Sequence, residues 1–141
     1  MAEAVAGCVL DASALLAYLG DEPGAELVAD QIAAGAKIAT INLAEALSTL
    51  ATRGQDPAAV ASELTARGLL DGAITLELFT TADAIETAHP RPLTRQAGLS
   101  LADRACLALA RRLSAPVLTS DHAWTSFALD LDVRPIRDPA Q

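Results

Sequence analysis

Four acidic residues, Asp11, Glu45, Asp103 and Asp121, hold the positions in this sequence where chemistry is most readily built. Asp11 follows the apolar run Cys8, Val9, Leu10 and precedes a stretch in which Ala14, Leu15, Leu16 and Leu19 recur at helical spacing. It therefore stands where a buried strand hands over to a helix. Glu45 in T-I-N-L-A-E and Asp121 in V-L-T-S-D hold similar places after later apolar runs. In a parallel sheet the carboxyl ends of the strands share one edge, and ligands bind there. Asp103 belongs to the first turn of a helix that can point at the same edge. Four carboxylates in one cleft repel and raise one another's pKa unless cations neutralise them. An all-oxygen set suits Mg²⁺ or Mn²⁺ rather than zinc. Two such ions ~3.5–4 Å apart form a clamp for in-line hydrolysis of a phosphodiester.

Each acid also has a purely structural reading. Asp11 can cap the helix that follows it. Asn42 with Glu45, and Ser100 with Asp103, have the spacing of a capping box, worth about 1 kcal/mol. Asp121 can cap a short helix of its own. Asp103 fits this reading least well, because it shares a helical stripe with Leu99, Cys106, Leu107 and Ala110. Positions 99, 100, 106 and 107 offer it no basic partner, and a carboxylate bordered by apolar groups loses solvation and needs one.

The elements that must position these acids are legible from periodicity and punctuation. Residues 8–10, 37–41, 73–79, 116–119 and 133–136 read as strands, and 25–34, 42–53, 56–67, 81–89 and 100–113 as helices, with a short helix over 121–127. Leu27, Val28, Gln31 and Ile32 mark the expected inner side of the second helix. The alternation implies an α/β fold with a short, largely parallel sheet flanked by helices on both faces. Residues 89–99 are the only long irregular stretch, and loops of that length are often functional.

The 141 residues are expected to form one domain, 1–141. With 52% hydrophobic and 20% charged residues a packed globule is expected. Aromatics at 3% leave Ala, Leu, Val and Ile to fill its core. No apolar run approaches the ~18–20 residues that span a bilayer, and the first residues lack a signal peptide's basic start. Cys8 and Cys106 take core-like positions, which suits a reducing cytoplasm, and two cysteines cannot build a zinc site unaided. A net charge of −8 argues against binding nucleic acid through a broad basic surface. It leaves open a nucleic-acid substrate reached through bound cations.

The segments V-L-D-A-S, N-L-A-E, L-S-L-A-D-R-A-C-L-A-L-A and V-L-T-S-D-H-A-W resemble, in order and spacing, the motifs of the PIN domain, and within it the VapC toxins of bacterial toxin–antitoxin pairs. The resemblance runs from Leu10 to Ile136. It implies an α/β sandwich around a short parallel sheet, often a homodimer, and a Mg²⁺- or Mn²⁺-dependent ribonuclease that cuts structured RNA such as transfer RNA. Asp11 and Asp103 match the principal metal ligands, and Glu45 and Asp121 the acids that help hold metal or orient water. Ser13 and Thr119 match hydroxyl residues often found beside the site, and Asn42 a frequent polar position before the family's Glu. A cognate antitoxin is implied as partner, its segment lying across the acidic groove. A PIN domain without catalysis, working as an RNA-binding or assembly module, and a housekeeping RNA-processing nuclease share the same motifs.

Arg91 and Arg95, in the irregular loop that feeds the Asp103 helix, are the candidate RNA contacts. Arg104 is expected to face a carboxylate or solvent, Asp130 and Asp132 to lie in a solvated turn, and Trp124 to sit in the core. His89 and His122 have no assigned role. Two rival folds fail at named positions. A response-regulator receiver needs an acidic pair at the first strand and a lysine after a late one, whereas the sole lysine, Lys37, begins the second strand. A phosphatase of the haloacid-dehalogenase type needs D-x-D, and Ser13 stands at the second position.

Overall fold

The computed structural model describes residues 7–89, 98–126 and 130–140. In chain order the elements are β1 (Cys8–Leu10), α1 (Ala12–Leu19), α2 (Ala25–Ala33), β2 (Ala36–Ala39), α3 (Thr40–Thr52), α4 (Pro57–Ala66), β3 (Ile74–Glu77), α5 (Thr81–Ala88), α6 (Leu101–Leu113), β4 (Val117–Thr119), a 3₁₀ helix (His122–Ser126) and β5 (Val133–Pro135). The strands form one parallel sheet in the order β3-β2-β1-β4-β5. Parallel neighbours need crossovers; here helices supply them, and they cover both faces.

β1 is central, and its three residues are completely buried, which is why it reads as an unbroken apolar run rather than an alternating one. Cys8 and Leu10 face one layer, with Leu15, Val28, Ile32 and Leu64 from the helices on that side. Val9 faces the other, with Cys106 and Leu109 of α6, Val117 and the fully buried Trp124. Alanines at 12, 14, 17 and 110 are buried in the clusters where α1 and α6 approach the sheet, so small side chains rather than aromatics fill the seams. Leu27, expected inside, is 39% exposed; only Ala25, Val28, Gln31 and Ile32 of α2 are buried.

The chain steps from β1 outward to β2 and β3, then returns to the opposite side of β1 with β4 and β5. The order therefore reverses between β1 and β4, and a crevice opens outside the carboxyl ends of strands at such a switch point. Asp11 ends one of these two strands and Thr119 the other.

Two local arrangements differ from the sequence expectation. β2 runs directly into α3 with Ala39 as the N-cap and no capping side chain. The helix thus starts two residues before Asn42, and the capping box of Asn42 with Glu45 does not form. Among the described residues Arg104 pairs with no carboxylate, and it is turned away from solvent. It is 8% exposed, and its Nη1 donates to the Thr87 carbonyl at 2.9 Å. α5 has no basic residue in its last turn, so Arg104 brings a cation from α6 to the negative end of that helix. The same seam is closed lower down by Arg112 Nε donating to Asp83 Oδ1 at 2.9 Å.

Candidate active site at the switch point

Asp11 is placed by its neighbours on both strands. The end of β1 delivers it in an extended conformation at the N-cap of α1, and the carboxylate is 5% exposed. Oδ1 accepts from Ala14 N at 2.8 Å and from Ser13 Oγ at 2.7 Å. Oδ2 accepts from Thr119 Oγ1 at 2.5 Å. The capping role is real, yet it uses only one of these three donors. Burial pushes the Asp11 carboxyl up to about 6; the Thr119, Ser13 and Ala14 hydrogen bonds oppose the rise, and the Asp103 charge adds to it.

The two hydroxyls do more than satisfy Asp11. Ser13 Oγ also accepts from Ser120 N at 2.9 Å, tying the first turn of α1 to the segment after β4. Thr119 Oγ1, completely buried, also accepts from Asp121 N at 3.0 Å. Asp121 is exposed, and its Oδ1 accepts from Ala123 N at 2.9 Å, starting the 3₁₀ helix as a cap. Asp11 and Asp121 are thereby linked through one hydroxyl.

Asp103 closes a capping box at the start of α6: Ser100 N donates to its Oδ2 and its own N–H donates to Ser100 Oγ, both at 3.0 Å. Glu45 lies on α3, half-buried. Burial and then the Asp103 charge raise its pKa. Cys106 stands one turn beyond Asp103, with Sγ 3.9 Å from the Leu10 carbonyl. Its thiol is raised well above the usual range by burial and then by the Asp11, Asp103 and Glu45 charges. This thiol is a protonated, inert part of the floor. Elements far apart in the chain therefore bring Asp11, Glu45 and Asp103 into one electrostatic neighbourhood. Asn42 is fully buried beneath it, donating Nδ2 to the Ala102 carbonyl at 2.9 Å.

No three His, Cys, Asp or Glu side chains among the described residues stand close enough together to grip a metal ion as they are. Asp11, Asp103 and Asp121 each accept hydrogen bonds from protein N–H or O–H donors. The donor set is carboxylate and hydroxyl oxygen, which fits a hard divalent cation in kind.

Asp130 and Asp132 are exposed and pair with Arg111 and Arg134, away from the acid cluster, as expected of a solvated turn. His122 meets the Arg137 carbonyl through Nε2. Arg91 and Arg95 lie outside the described residues. Two participants carried only weak signals in the sequence. Cys106 shares the Asp103 stripe, which hinted at its place; Ser120 acts through its backbone N–H, which composition does not mark.

Among curated proteins, none matches this sequence. The fold is similar to a toxin–antitoxin complex from Klebsiella pneumoniae (14% identity, TM-score 0.67, covering 94% of this chain and 99% of the other). It is also similar to FitAcB from Neisseria gonorrhoeae (22%, 0.68, 92% and 97%) and to VapBC2 from Rickettsia felis bound to a DNA fragment from their promoter (14%, 0.66, 90% and 96%). No helix among the described residues is long and apolar enough to cross a membrane. The family model of the PIN domain matches residues 8–128, a span that contains all four acids, and the chain belongs to the PIN domain family.

Proposed function

We propose that this protein is a divalent-metal-dependent endoribonuclease, the toxin of a toxin–antitoxin pair, acting on structured RNA. The observation that carries the reading is the shared field of Asp11, Glu45 and Asp103 at the β1–β4 switch point, with no basic side chain among their hydrogen-bond partners in the described residues. The described residues give this site no cation of its own, a deficit that a bound Mg²⁺ or Mn²⁺ would make good. Asp11 and Asp103 would hold the cation, with Glu45 and Asp121 completing the set. When bound, the cation counters the charge of the scissile phosphate and makes a water easier to deprotonate. Ser13 and Thr119 keep the Asp11 carboxylate in one orientation, and the buried wall of Cys106 and Leu10 excludes water from beneath it. Glu45, whose pKa burial and then the Asp103 charge raise, is the proposed acceptor of a proton from the attacking water.

The toxin reading draws support from PIN family membership and from the resemblance of the fold to chains in toxin–antitoxin complexes. An antitoxin segment bearing an arginine would compete for the same carboxylates. Arg91 and Arg95 are the proposed RNA contacts. Their replacement by Ala weakens RNA binding and flattens its salt dependence; an unchanged salt slope removes them from the interface.

The test is cleavage of transfer RNA by the purified chain with Mg²⁺ or Mn²⁺, beside Asp11→Ala and Asp103→Ala. Cleavage is expected only from the parent and only with metal. Equal cleavage by all three proteins, or none by a parent that still binds RNA, would falsify the nuclease assignment; the second result favours a non-catalytic RNA-binding module.

A further inference from the structure

We infer that Asn42 is a positioning residue that sets the gap between Glu45 and Asp103, a role resting on the metal-site reading above. Asn42 and Glu45 are one turn apart on α3 and so share a face. That face meets the first turn of α6, where Asn42 Nδ2 donates to the carbonyl of Ala102, the residue before Asp103. On the other side of Asp103, Arg104 is tied to the Thr87 carbonyl of α5. The turn that carries Asp103 is thus gripped at both neighbouring residues, from α3 by Asn42 and from α5 by Arg104.

Packing alone does not explain an asparagine here. Asn42 is completely buried, and its Oδ1 has no hydrogen-bond partner among the described residues. An unpartnered buried amide oxygen is costly, and an apolar side chain would fill the same space without that cost. What an apolar residue lacks is the N–H that reaches across to Ala102. Leu50, on the far part of the same helix, is buried and apolar, as a position with packing duties only should be. The bond also compensates for the weak start of α3, whose first turn has no side-chain cap. It anchors α3 at the turn from which Glu45 projects.

The test compares Asn42→Ala and Asn42→Leu, the latter keeping the volume, with Leu50→Ala as a packing control. The readouts are Mn²⁺ affinity by electron paramagnetic resonance and amide hydrogen exchange along α6. Loss of a group that orients a ligand typically weakens metal binding by about 10–100-fold, and that loss is expected in both Asn42 variants and not in Leu50→Ala. The Ala105 and Cys106 amides of the metal-free Asn42 variants should exchange about tenfold faster, while those of Leu109 and Ala110 follow global stability. Uniform exchange changes along α6, or Mn²⁺ affinity kept within about twofold in Asn42→Leu, would overturn the assignment. If the parent binds no Mn²⁺, the metal reading fails instead, and the exchange pattern alone decides for or against Asn42.

Discussion

Asp11 and Asp83 are both aspartates, both 5% exposed and both at helix starts, yet their surroundings are opposite in sign. At Asp83, burial pushes the pKa up, but the Thr80 N–H and hydroxyl and the Arg112 guanidinium outweigh it, and the carboxyl ends below its usual range. At Asp11 the donors are two hydroxyls and one N–H, all neutral, and the carboxyl is left at about 6 beside another acid. A structural aspartate has been given its counter-ion within the fold. The aspartate at the switch point is oriented by neutral donors, with no basic side chain among its partners in the described residues, which is the environment the proposed cation site calls for.

The largest test of that contrast is activity. Asp11→Asn should lower metal-dependent RNA cleavage by about 10³-fold or more, whereas Asp83→Asn should leave it near the parent's once folded protein is compared. Equal losses in the two variants would erase the distinction. Next comes the cation itself. Mn²⁺ at ~100 times its dissociation constant should stabilise the parent by about 2.7 kcal/mol, read as a raised unfolding midpoint that EDTA reverses and Asp11→Asn abolishes.

The two aspartates should also respond oppositely to pH in metal-free protein. The folded pKa of Asp11 lies above its ordinary 3.8, so its contribution is fully present below pH 3.8 and is lost as pH rises to about 6. Asp83 has a depressed folded pKa, so its contribution is present above its ordinary value and is lost as pH falls through the lower one. At pH 7, Asp11→Asn is therefore expected to gain about 1–2 kcal/mol, and Asp83→Asn to lose about 1–2 kcal/mol with its charged hydrogen bonds. Urea unfolding at pH 4 and pH 7 measures both, and a stabilised Asp83→Asn would reverse the comparison. The smallest effect belongs to the exposed Arg111–Asp130 pair, whose coupling in a double-mutant cycle should stay under about 1 kcal/mol.

Much of this was readable from the residues. Cys8, Val9 and Leu10 announce a strand buried on both faces because no polar side chain interrupts them, and Asp11 marks its end. Ser100 and Asp103 form the box their spacing implies. Asn42 and Glu45 have a capping-box spacing too, and there the spacing misled, because it carries no sign that β2 passes into α3 without a loop. Arg104 was opaque for a different reason. Its partner is a backbone carbonyl on α5, and any residue type presents one. Local chemistry is written in the sequence; contacts to the main chain of a distant element appear only once the layers are stacked.

The pairing of β4 with β1 has a consequence for the order of events during synthesis. Asp11 is made early, but Thr119, which orients it, and Ser120, which holds Ser13, are added more than a hundred residues later. A growing chain on the ribosome consequently carries its acids unassembled until Val117–Thr119 has emerged and docked. Any hydrolytic capacity of the site therefore waits on a segment made more than a hundred residues after Asp11.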